Sequence, residues 1–227
     1  MATFVLIHGA GDGAWYWHLV EAELRRRGHD VAAVDLPSDD DSAGLQQYAD
    51  EVIDAAGDRR DLVVVAQSFG GFTAPLVCDR LSVDLLVFVA GMIPSPGERP
   101  GDWWEHTGYT RIEREPAESD DGEADDDVIA TFLHDVPPAL AAEALKRGRD
   151  QSGTPMEEPW PLDEWPDVPT KVLLCRDDRF FPPEFMRRVA RERLGITPDE
   201  IDGSHCVALS RPRELAERLD AYRAKLS

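Results

Sequence analysis

The amino-acid sequence predicts an α/β protein in which a mostly parallel sheet carries helices on both faces. Short apolar runs alternate with segments of helical period along most of the 227 residues. These runs are apolar at nearly every position, which is typical of strands buried on both faces of a parallel sheet. The length suits one α/β domain, so we expect a single domain over residues 1–227.

Six strands and five main helices are expected in this alternation. The β-branched and apolar runs that predict strands span residues 3–8, 31–35, 62–66, 84–90, 171–175 and, more weakly, 199–201. Apolar residues at helical spacing predict helices over residues 15–27, 45–56, 69–81, 184–194 and 211–225. Since helices separate most of the strands, the strands should run parallel in a doubly wound sheet.

One long segment, residues 91–168, breaks the alternation. It has no convincing strand, and two modest helices are predicted inside it, over residues 127–134 and 138–147. An insertion of this length between two strands of one sheet predicts a small helical cap or lid. A disordered acidic linker would fit only residues 116–126, because tryptophans on both sides of it need burial. Four of the chain's six tryptophans lie on the two sides of this linker: Trp103, Trp104, Trp160 and Trp165.

The charge and composition of the chain limit the classes of molecule that it is expected to bind. With 24 basic and 45 acidic residues, the formal net charge of −21 repels phosphate backbones and anionic membrane surfaces. No apolar run reaches the roughly 18 residues of a membrane span, and the start lacks a signal-peptide pattern. We therefore expect a cytoplasmic protein that acts on a small molecule, without nucleic-acid or membrane partners, and we leave a homodimer open.

The three cysteines, Cys78, Cys175 and Cys206, have neither the number nor the spacing of a disulfide framework or a zinc site. They are expected to be reduced thiols, and no metal or cofactor is expected. The acidic excess has two interpretations, a coding bias or an adaptation to high salt.

The stretch "LVVVAQSFGGFTAP", residues 62–75, places Ser68 at a turn between a strand and a helix. Ligands bind at the carboxyl ends of parallel strands, so this hydroxyl should face a site. The frame Ala66-Gln67-Ser68-Phe69-Gly70 fits the G-x-S-x-G elbow, with alanine in place of the first glycine. Small residues are needed there because larger side chains would collide with neighbouring elements. Ser68 is thus a candidate nucleophile; the alternative is a small polar residue in an ordinary turn.

A nucleophilic serine requires a histidine base and a carboxylate that orients the histidine. In the order Ser, acid, His, the base is His205 in "DGSHCVALS", because His106 and His134 lie in the expected cap. For the acid, "KVLLCRDDRFFPPEF" offers Asp177 and Asp178 after the fifth strand. The proline four residues after Asp178 favours Asp178, and Asp177 is kept as the alternative.

Two backbone N–H groups should face the developing negative charge. Phe69 follows the nucleophile and begins a helix, so its N–H is one candidate. The loop "IHGAGDGAW" has glycines that let the backbone approach a substrate closely, and Ala10 is the second candidate. His8 and Asp12 in this loop could act as metal ligand or acid, but we favour hydrogen bonds that order the loop.

Four motifs in this order, "FVLIHGAGDGAWYWHLV", "AQSFGGF", "RDDRFFPPEF" and "DGSHCVALSRPREL", resemble the α/β-hydrolase fold. They are most similar to its small branch of plant methylesterases and plant hydroxynitrile lyases. The resemblance covers roughly the first 95 and the last 60 residues and leaves the cap without a match. It implies a six-stranded sheet, a compact cap and no cofactor. It also supports Ser68, Asp178 and His205 as a triad, with Ala10 and Phe69 as the oxyanion hole; Ala66 departs from the family's glycine.

The expected function is a cofactor-independent serine hydrolase, a carboxylesterase that acts on a small or aromatic ester. Three alternatives stay open: a hydroxynitrile-lyase-like carbon–carbon lyase, a tailoring cyclase or thioesterase of aromatic metabolites, and a non-catalytic ligand-binding module. In the lyases that the chain resembles, a lysine and a threonine occupy the positions of Cys206 and Gly9, which argues against the lyase. The residues expected to contact substrate are Gly9, Met92, Trp103, Trp104 and Phe181.

Overall fold

The computed structural model describes residues 1–112 and 124–226 and contains all six predicted strands. The strands are β1 (Thr3–Ile7), β2 (Asp30–Val34), β3 (Leu62–Gln67), β4 (Val83–Val89), β5 (Thr170–Cys175) and β6 (Asp199–Ile201). Every neighbouring pair is parallel, and the order across the sheet is β2-β1-β3-β4-β5-β6. The predicted α/β class and its parallel six-stranded sheet are therefore confirmed.

Alternate residues of the central strands pack on opposite faces of the sheet. In β3, Val64 and Ala66 join the apolar cluster on one face, whereas Val63 and Val65 join the cluster on the other. All four side chains are buried. Burial on both faces explains why the strands are continuously apolar in sequence.

Helices cover both faces. The α-helices are α1 (His18–Arg26), α2 (Leu45–Ala56), α3 (Ala74–Arg80), α4 (Trp103–His106), α5 (Ala124–Val128), α6 (Pro138–Arg147), α7 (Thr154–Glu157), α8 (Pro183–Leu194), α9 (Val207–Ser210) and α10 (Pro212–Ala224). Short 3-10 turns span Ala14–Trp17, Ser68–Phe72, Pro100–Asp102 and Tyr109–Arg111, and a π-helical turn spans Ile129–Leu133. Helices α2, α3 and α8 pack on one face, and α1, α9 and α10 pack on the other.

The helix predicted over residues 69–81 forms in two parts, a 3-10 turn followed by α3. Gly70 and Gly71 disfavour a regular helix at its start, because glycine loses the most backbone freedom on folding. Pro75 then lies in the first turn of α3, where its missing N–H costs no hydrogen bond.

The strand order reverses at β1. From β1 the chain passes to β2 on one side, and it then returns to place β3 on the other side of β1. At such a switch point the loops diverge and open a crevice at the carboxyl ends of the strands. The loops after β1 and β3, which carry Gly9, Ala10, Ser68 and Phe69, flank this crevice.

The segment between β4 and β5, residues 91–168, is called the β4–β5 insertion below. Its described residues form helices and turns without a strand. Trp103 and Trp160 pack into the cluster on one face of the sheet, whereas Leu133 and Ala141 pack into the other. The insertion therefore rests against both faces; its role as a lid stays a prediction. Residues 113–123, most of the predicted acidic linker, lie outside the described residues.

Within residues 1–112 and 124–226, no single helix is long and apolar enough to span a membrane. Two insertion segments, Asp125–Leu133 and Pro138–Arg147, meet that length and composition only as a pair, and the pair is bent by 116°.

Candidate active site

Ser68 has a left-handed backbone conformation, with φ +48°. This region is uncommon for residues other than glycine and costs roughly 1–2 kcal/mol. Close packing holds the turn in place. A Cβ on Gly70 would lie 2.6 Å from the His8 carbonyl oxygen, and one on Gly71 would lie 2.0 Å from the Met92 carbonyl oxygen. The elbow thus needs its glycines for the steric reason that the sequence suggested.

The loop after β1 lies directly beside Ser68. A Cβ on Gly9 would fall 2.8 Å from Ser68 Cβ, so there is no space between the two loops at this point. Ala10 follows and is exposed, and its N–H donates to no other group within the described chain. Phe69 is the second residue of a 3-10 turn, where a backbone N–H precedes the first bonds of the helix. Both predicted oxyanion donors therefore border the crevice next to Ser68.

His8 orders the β1 loop. Its Nε2 accepts a hydrogen bond from the Leu36 N–H at 3.0 Å, so the ring proton is on Nδ1, which donates to the Gly9 carbonyl at 2.7 Å. Burial lowers the pKa of His8, which keeps the ring neutral. Both ring nitrogens are thus engaged within the chain, in agreement with the loop-ordering interpretation.

Arg149, a residue of the insertion, also holds this loop. Its backbone N–H donates to the Gly11 carbonyl at 2.8 Å, and Gly11 has φ +74°. The Arg149 guanidinium donates to the Leu36 carbonyl at 3.2 Å and to Asp39 Oδ1 at 2.5 Å. Sequence reasoning missed Arg149, because its partners lie more than a hundred positions away and no local motif marks it.

His205 is hydrogen-bonded to Asp178. The distance from Nδ1 to Asp178 Oδ2 is 2.8 Å, and both side chains are buried. The second oxygen of Asp178 accepts the N–H groups of Phe180 and Phe181 at 2.8 and 2.9 Å. These bonds fix the carboxylate, so that Nε2 is the ring nitrogen left for chemistry.

Asp177 has a different role in the structure. Its Oδ2 accepts the Gly203 N–H at 2.9 Å, and its own N–H donates to the Gly203 carbonyl at 3.1 Å. It therefore braces the loop that carries His205, whereas Asp178 contacts the ring. This geometry agrees with the choice of Asp178 made from the sequence.

Gln67 links the Ser68 turn to the His205 loop. Its side-chain amide donates to the His205 carbonyl at 3.4 Å. Within the described chain, no hydrogen bond joins the Ser68 hydroxyl to the His205 ring. Catalytic hydrogen bonds are often long or poorly aligned before substrate binds.

Asp12 is a second acidic group near His205. Burial raises the pKa of its carboxyl to about 7, and the nearby His205 ring opposes that rise. Asp12 lies in the β1 loop between Gly11 and Gly13. This part of the loop is closely packed, because a Cβ on Gly13 would lie 2.7 Å from the Asp35 carboxylate. The crevice therefore contains a carboxyl that changes charge near neutral pH.

Three phenylalanines surround the His205 ring. The ring centroids of Phe180 and Phe181 lie 5.1 Å from it, and that of Phe132 lies 5.6 Å away, all close to edge-on. Phe132 comes from the insertion. Sequence reasoning missed Phe180, although the adjacent pair in "RFFPPEF" was a visible signal. The His205 imidazole is thus packed against three aromatic rings.

The predicted substrate-contact residues differ in burial. Met92 packs against the Ser68 turn, and its N–H donates to the Ser68 carbonyl at 2.9 Å. Trp103 is fully buried and donates its indole N–H to the Ile93 carbonyl at 3.0 Å, whereas Trp104 is only partly buried. Their contact with substrate stays a prediction, and Trp104 is the more accessible ring.

Comparison with known proteins agrees with this architecture. The chain is 29% identical to a probable esterase of Oryza sativa subsp. indica, over 98% of this chain and 97% of that one. It is 26% identical to methylesterase 7 of Arabidopsis thaliana, over 95% and 94% of the two chains. The crystal structure of polyneuridine aldehyde esterase superposes with a TM-score of 0.82 at 20% identity, over 98% and 99% of the chains. Because the profile of the alpha/beta hydrolase family also matches residues 4–218, the chain belongs to that family.

Proposed function

We propose that this hydrolase is a carboxylesterase that cleaves a small or aromatic ester through an acyl-enzyme at Ser68. The observation that carries the proposal is the buried 2.8 Å hydrogen bond from His205 to Asp178. It lies at the carboxyl ends of the strands, where Ser68 occupies a strained turn. The relatives named as esterases support the same reaction class.

In the proposed first step, His205 Nε2 takes the hydroxyl proton of Ser68 while the Ser68 oxygen attacks the ester carbonyl carbon. Asp178 keeps the Nδ1 proton in place and stabilises the imidazolium that forms. The tetrahedral oxyanion lies against the N–H groups of Ala10 and Phe69. His205 then gives its proton to the leaving alcohol as the carbon–oxygen bond breaks.

In the second step, water replaces the alcohol. His205 removes a proton from the water, and the resulting hydroxide attacks the acyl carbon of the ester to Ser68. The second tetrahedral intermediate collapses, the acid leaves, and Ser68 regains its proton from His205. The edge-on rings of Phe132, Phe180 and Phe181 suit an apolar or aromatic group beside the reacting carbon.

Two observations disfavour the lyase alternative. A cyanide leaving group needs a nearby cation, but the residue after His205 is Cys206, whose thiol has a pKa raised by burial and by the nearby Asp12. A substrate hydroxyl needs a partner from the β1 loop, but a Cβ on Gly9 would lie 2.8 Å from Ser68 Cβ. A larger hydroxyl-bearing residue has no space at that position.

Active-site labelling with a fluorophosphonate tests the proposal. We expect covalent modification at Ser68 alone, and none in Ser68→Ala. Ser38→Ala is the matched control, because Ser38 is a fully buried serine whose hydroxyl has no hydrogen-bond partner within the described chain. An unlabelled protein would indicate a binding module instead.

A substrate pair separates the two reaction classes. We expect hydrolysis of aryl acetates by the unaltered protein and no cleavage of mandelonitrile above the uncatalysed rate. Efficient mandelonitrile cleavage without ester turnover would overturn the carboxylesterase proposal in favour of the lyase.

A further inference from the structure

The loop that carries His205 lies between β6 and α9, and hydrogen bonds from neighbouring loops hold it in place. Its two residues before the histidine each donate a backbone N–H to a carboxylate. Gly203 donates to Asp177 Oδ2 at 2.9 Å, and Ser204 donates to Asp135 Oδ2 at 3.0 Å. Asp177 comes from the loop after β5, but Asp135 belongs to the β4–β5 insertion.

The position of Asp135 is itself well fixed. It lies between the π-helical turn Ile129–Leu133 and α6, and the Val136 N–H donates to the Leu133 carbonyl at 2.9 Å. Leu133 and Val136 on either side of it are buried in the same apolar cluster as Cys206. The insertion thus anchors the carboxylate against the residues that surround the His205 loop.

The Ser204 N–H depends on this one acceptor. Ser204 is fully buried, and its N–H makes no other hydrogen bond within residues 1–112 and 124–226. A buried N–H without a partner is strongly unfavourable, so the loop would rearrange if the carboxylate were lost. Because His205 is the next residue, a rearrangement at Ser204 moves the imidazole relative to Asp178 and Ser68.

The geometry points to Asp135 as a positioning residue for the reaction: the insertion uses its carboxylate to orient the His205 loop through the Ser204 N–H. This inference rests on the proposed function, in which His205 is the base. It gives the insertion a mechanistic part that is separate from covering the substrate. The Asp135 carboxylate contacts a backbone N–H, a group that does not depend on the side chain of Ser204, so no sequence motif marks this contact.

Three variants test the inference: Asp135→Ala removes the acceptor, Asp135→Asn keeps an acceptor oxygen, and Asp41→Ala is the matched control. Asp41 accepts a hydrogen bond from the Ser152 hydroxyl at 2.8 Å, so it also tethers the insertion, but within the described chain it makes no hydrogen bond to the His205 loop. Two readouts are compared: hydrogen exchange of the peptide that contains Ser204, and the rate constant for fluorophosphonate labelling of Ser68.

We expect Asp135→Ala to speed exchange at Ser204 by about tenfold or more and to slow labelling by a similar factor. In ester assays kcat should fall while KM stays within about twofold, since the ground-state contacts with substrate are unchanged. Asp135→Asn should restore most of both losses, and Asp41→Ala should match the unaltered protein in both readouts.

Unchanged exchange at Ser204 in Asp135→Ala would overturn the inference, as would faster exchange with unchanged labelling. Equal losses in Asp135→Asn and Asp135→Ala would also overturn it, because hydrogen bonding would then not be the cause. If the unaltered protein is not labelled at all, the proposed function fails, while the exchange comparison still decides whether Asp135 holds the loop.

Discussion

The strand-end loops and the β4–β5 insertion meet around His205, but different contacts hold them. The loops rest on backbone approaches with no space for a side chain, as at Gly70, where a Cβ would lie 2.6 Å from the His8 carbonyl oxygen. The insertion also meets the Ser68 turn through the Met92 backbone, but large side chains and a buried ion pair hold it in addition. The Trp160 indole donates to the Phe72 carbonyl at 3.0 Å, and Arg193 Nη2 lies 2.7 Å from Glu98 Oε1.

From this difference we expect substitutions in the loops and in the insertion to affect the reaction rate and the stability differently. Backbone contacts set the positions of the Ser68 turn and the β1 loop tightly, so polar substitutions beside them should change rate more than stability. Side-chain packing carries the insertion, so truncations there should lower the free energy of unfolding first. Asp135 and Arg149 are exceptions, since both lie in the insertion and hold a strand-end loop.

The largest expected effect lies at the acid. Asp178→Asn should lower kcat/KM for an aryl acetate by about 10³- to 10⁴-fold, because an amide no longer accepts from Nδ1 in the same way and the ring loses its required tautomer. Asp177→Asn should cost about tenfold or less, since Asp177 only braces Gly203. Steady-state kinetics of both variants check this, and the reverse order of effects would move the acid to Asp177.

The positions of these loops could be predicted from the sequence because they depend on local patterns; the roles of their residues stay predictions. A serine in a Gly-rich turn, a histidine before the last helix and an acid after the fifth strand each depend on neighbours within a few residues. The six strands also lay within one residue of their predicted bounds, because burial on both faces leaves a continuous apolar pattern.

The position of the insertion depends on contacts between residues that are far apart in the sequence, and no local sequence pattern shows these contacts. Trp103 was predicted to contact substrate, but nothing near it in sequence shows that its ring packs 5.5 Å from Phe181 and 5.6 Å from Phe185. The Arg149 N–H donates to the Gly11 carbonyl of the β1 loop, and the Asp135 carboxylate accepts the Ser204 N–H of the His205 loop. Such partners follow from the folded chain alone.

The second prediction contrasts two neighbouring tryptophans of the insertion. Trp103→Ala should lower the free energy of unfolding by about 3–5 kcal/mol, because the ring is fully buried and leaves a large cavity. Trp104→Ala removes a partly buried ring and should cost clearly less. If Trp104 contacts substrate, its loss should raise KM for bulky esters while kcat for small ones is kept. Urea unfolding and an ester panel check both; equal stability losses would contradict the contrast.

The third prediction concerns the ion pair that ties the insertion to α8. The side chains of Glu98 and Arg193 are 4% and 12% exposed. Glu98→Ala should therefore lower the free energy of unfolding by about 3 kcal/mol, since it leaves a buried guanidinium unpaired. The control is Glu143→Ala, which breaks an exposed pair with Arg147 and should cost about 0.5 kcal/mol or less. Similar urea midpoints for the two variants would show that the insertion does not depend on this contact.

The smallest expected effect is a pH dependence that originates in the β1 loop. The pKa of Asp12 rises from its ordinary value of 3.8 to about 7 in the folded chain, chiefly because the carboxyl is buried. Between these values the unfolded chain has lost the proton and the folded chain keeps it, so stability from this group falls as the pH rises. Asp12→Asn removes that slope.

Between pH 5 and pH 8 the free energy of unfolding of Asp12→Asn should therefore rise by about 2–3 kcal/mol relative to that of the unaltered protein. Urea unfolding of both proteins at the two pH values gives this difference directly. His205 must be considered as well, because its charge opposes the raised pKa of Asp12. Repeating the comparison in a His205→Ala background should enlarge the gain, since the unopposed carboxyl would hold its proton to higher pH. A gain that is absent at pH 8 in both backgrounds would mean that Asp12 is solvated and ionised throughout, and the crevice would then contain no carboxyl that titrates near neutral pH.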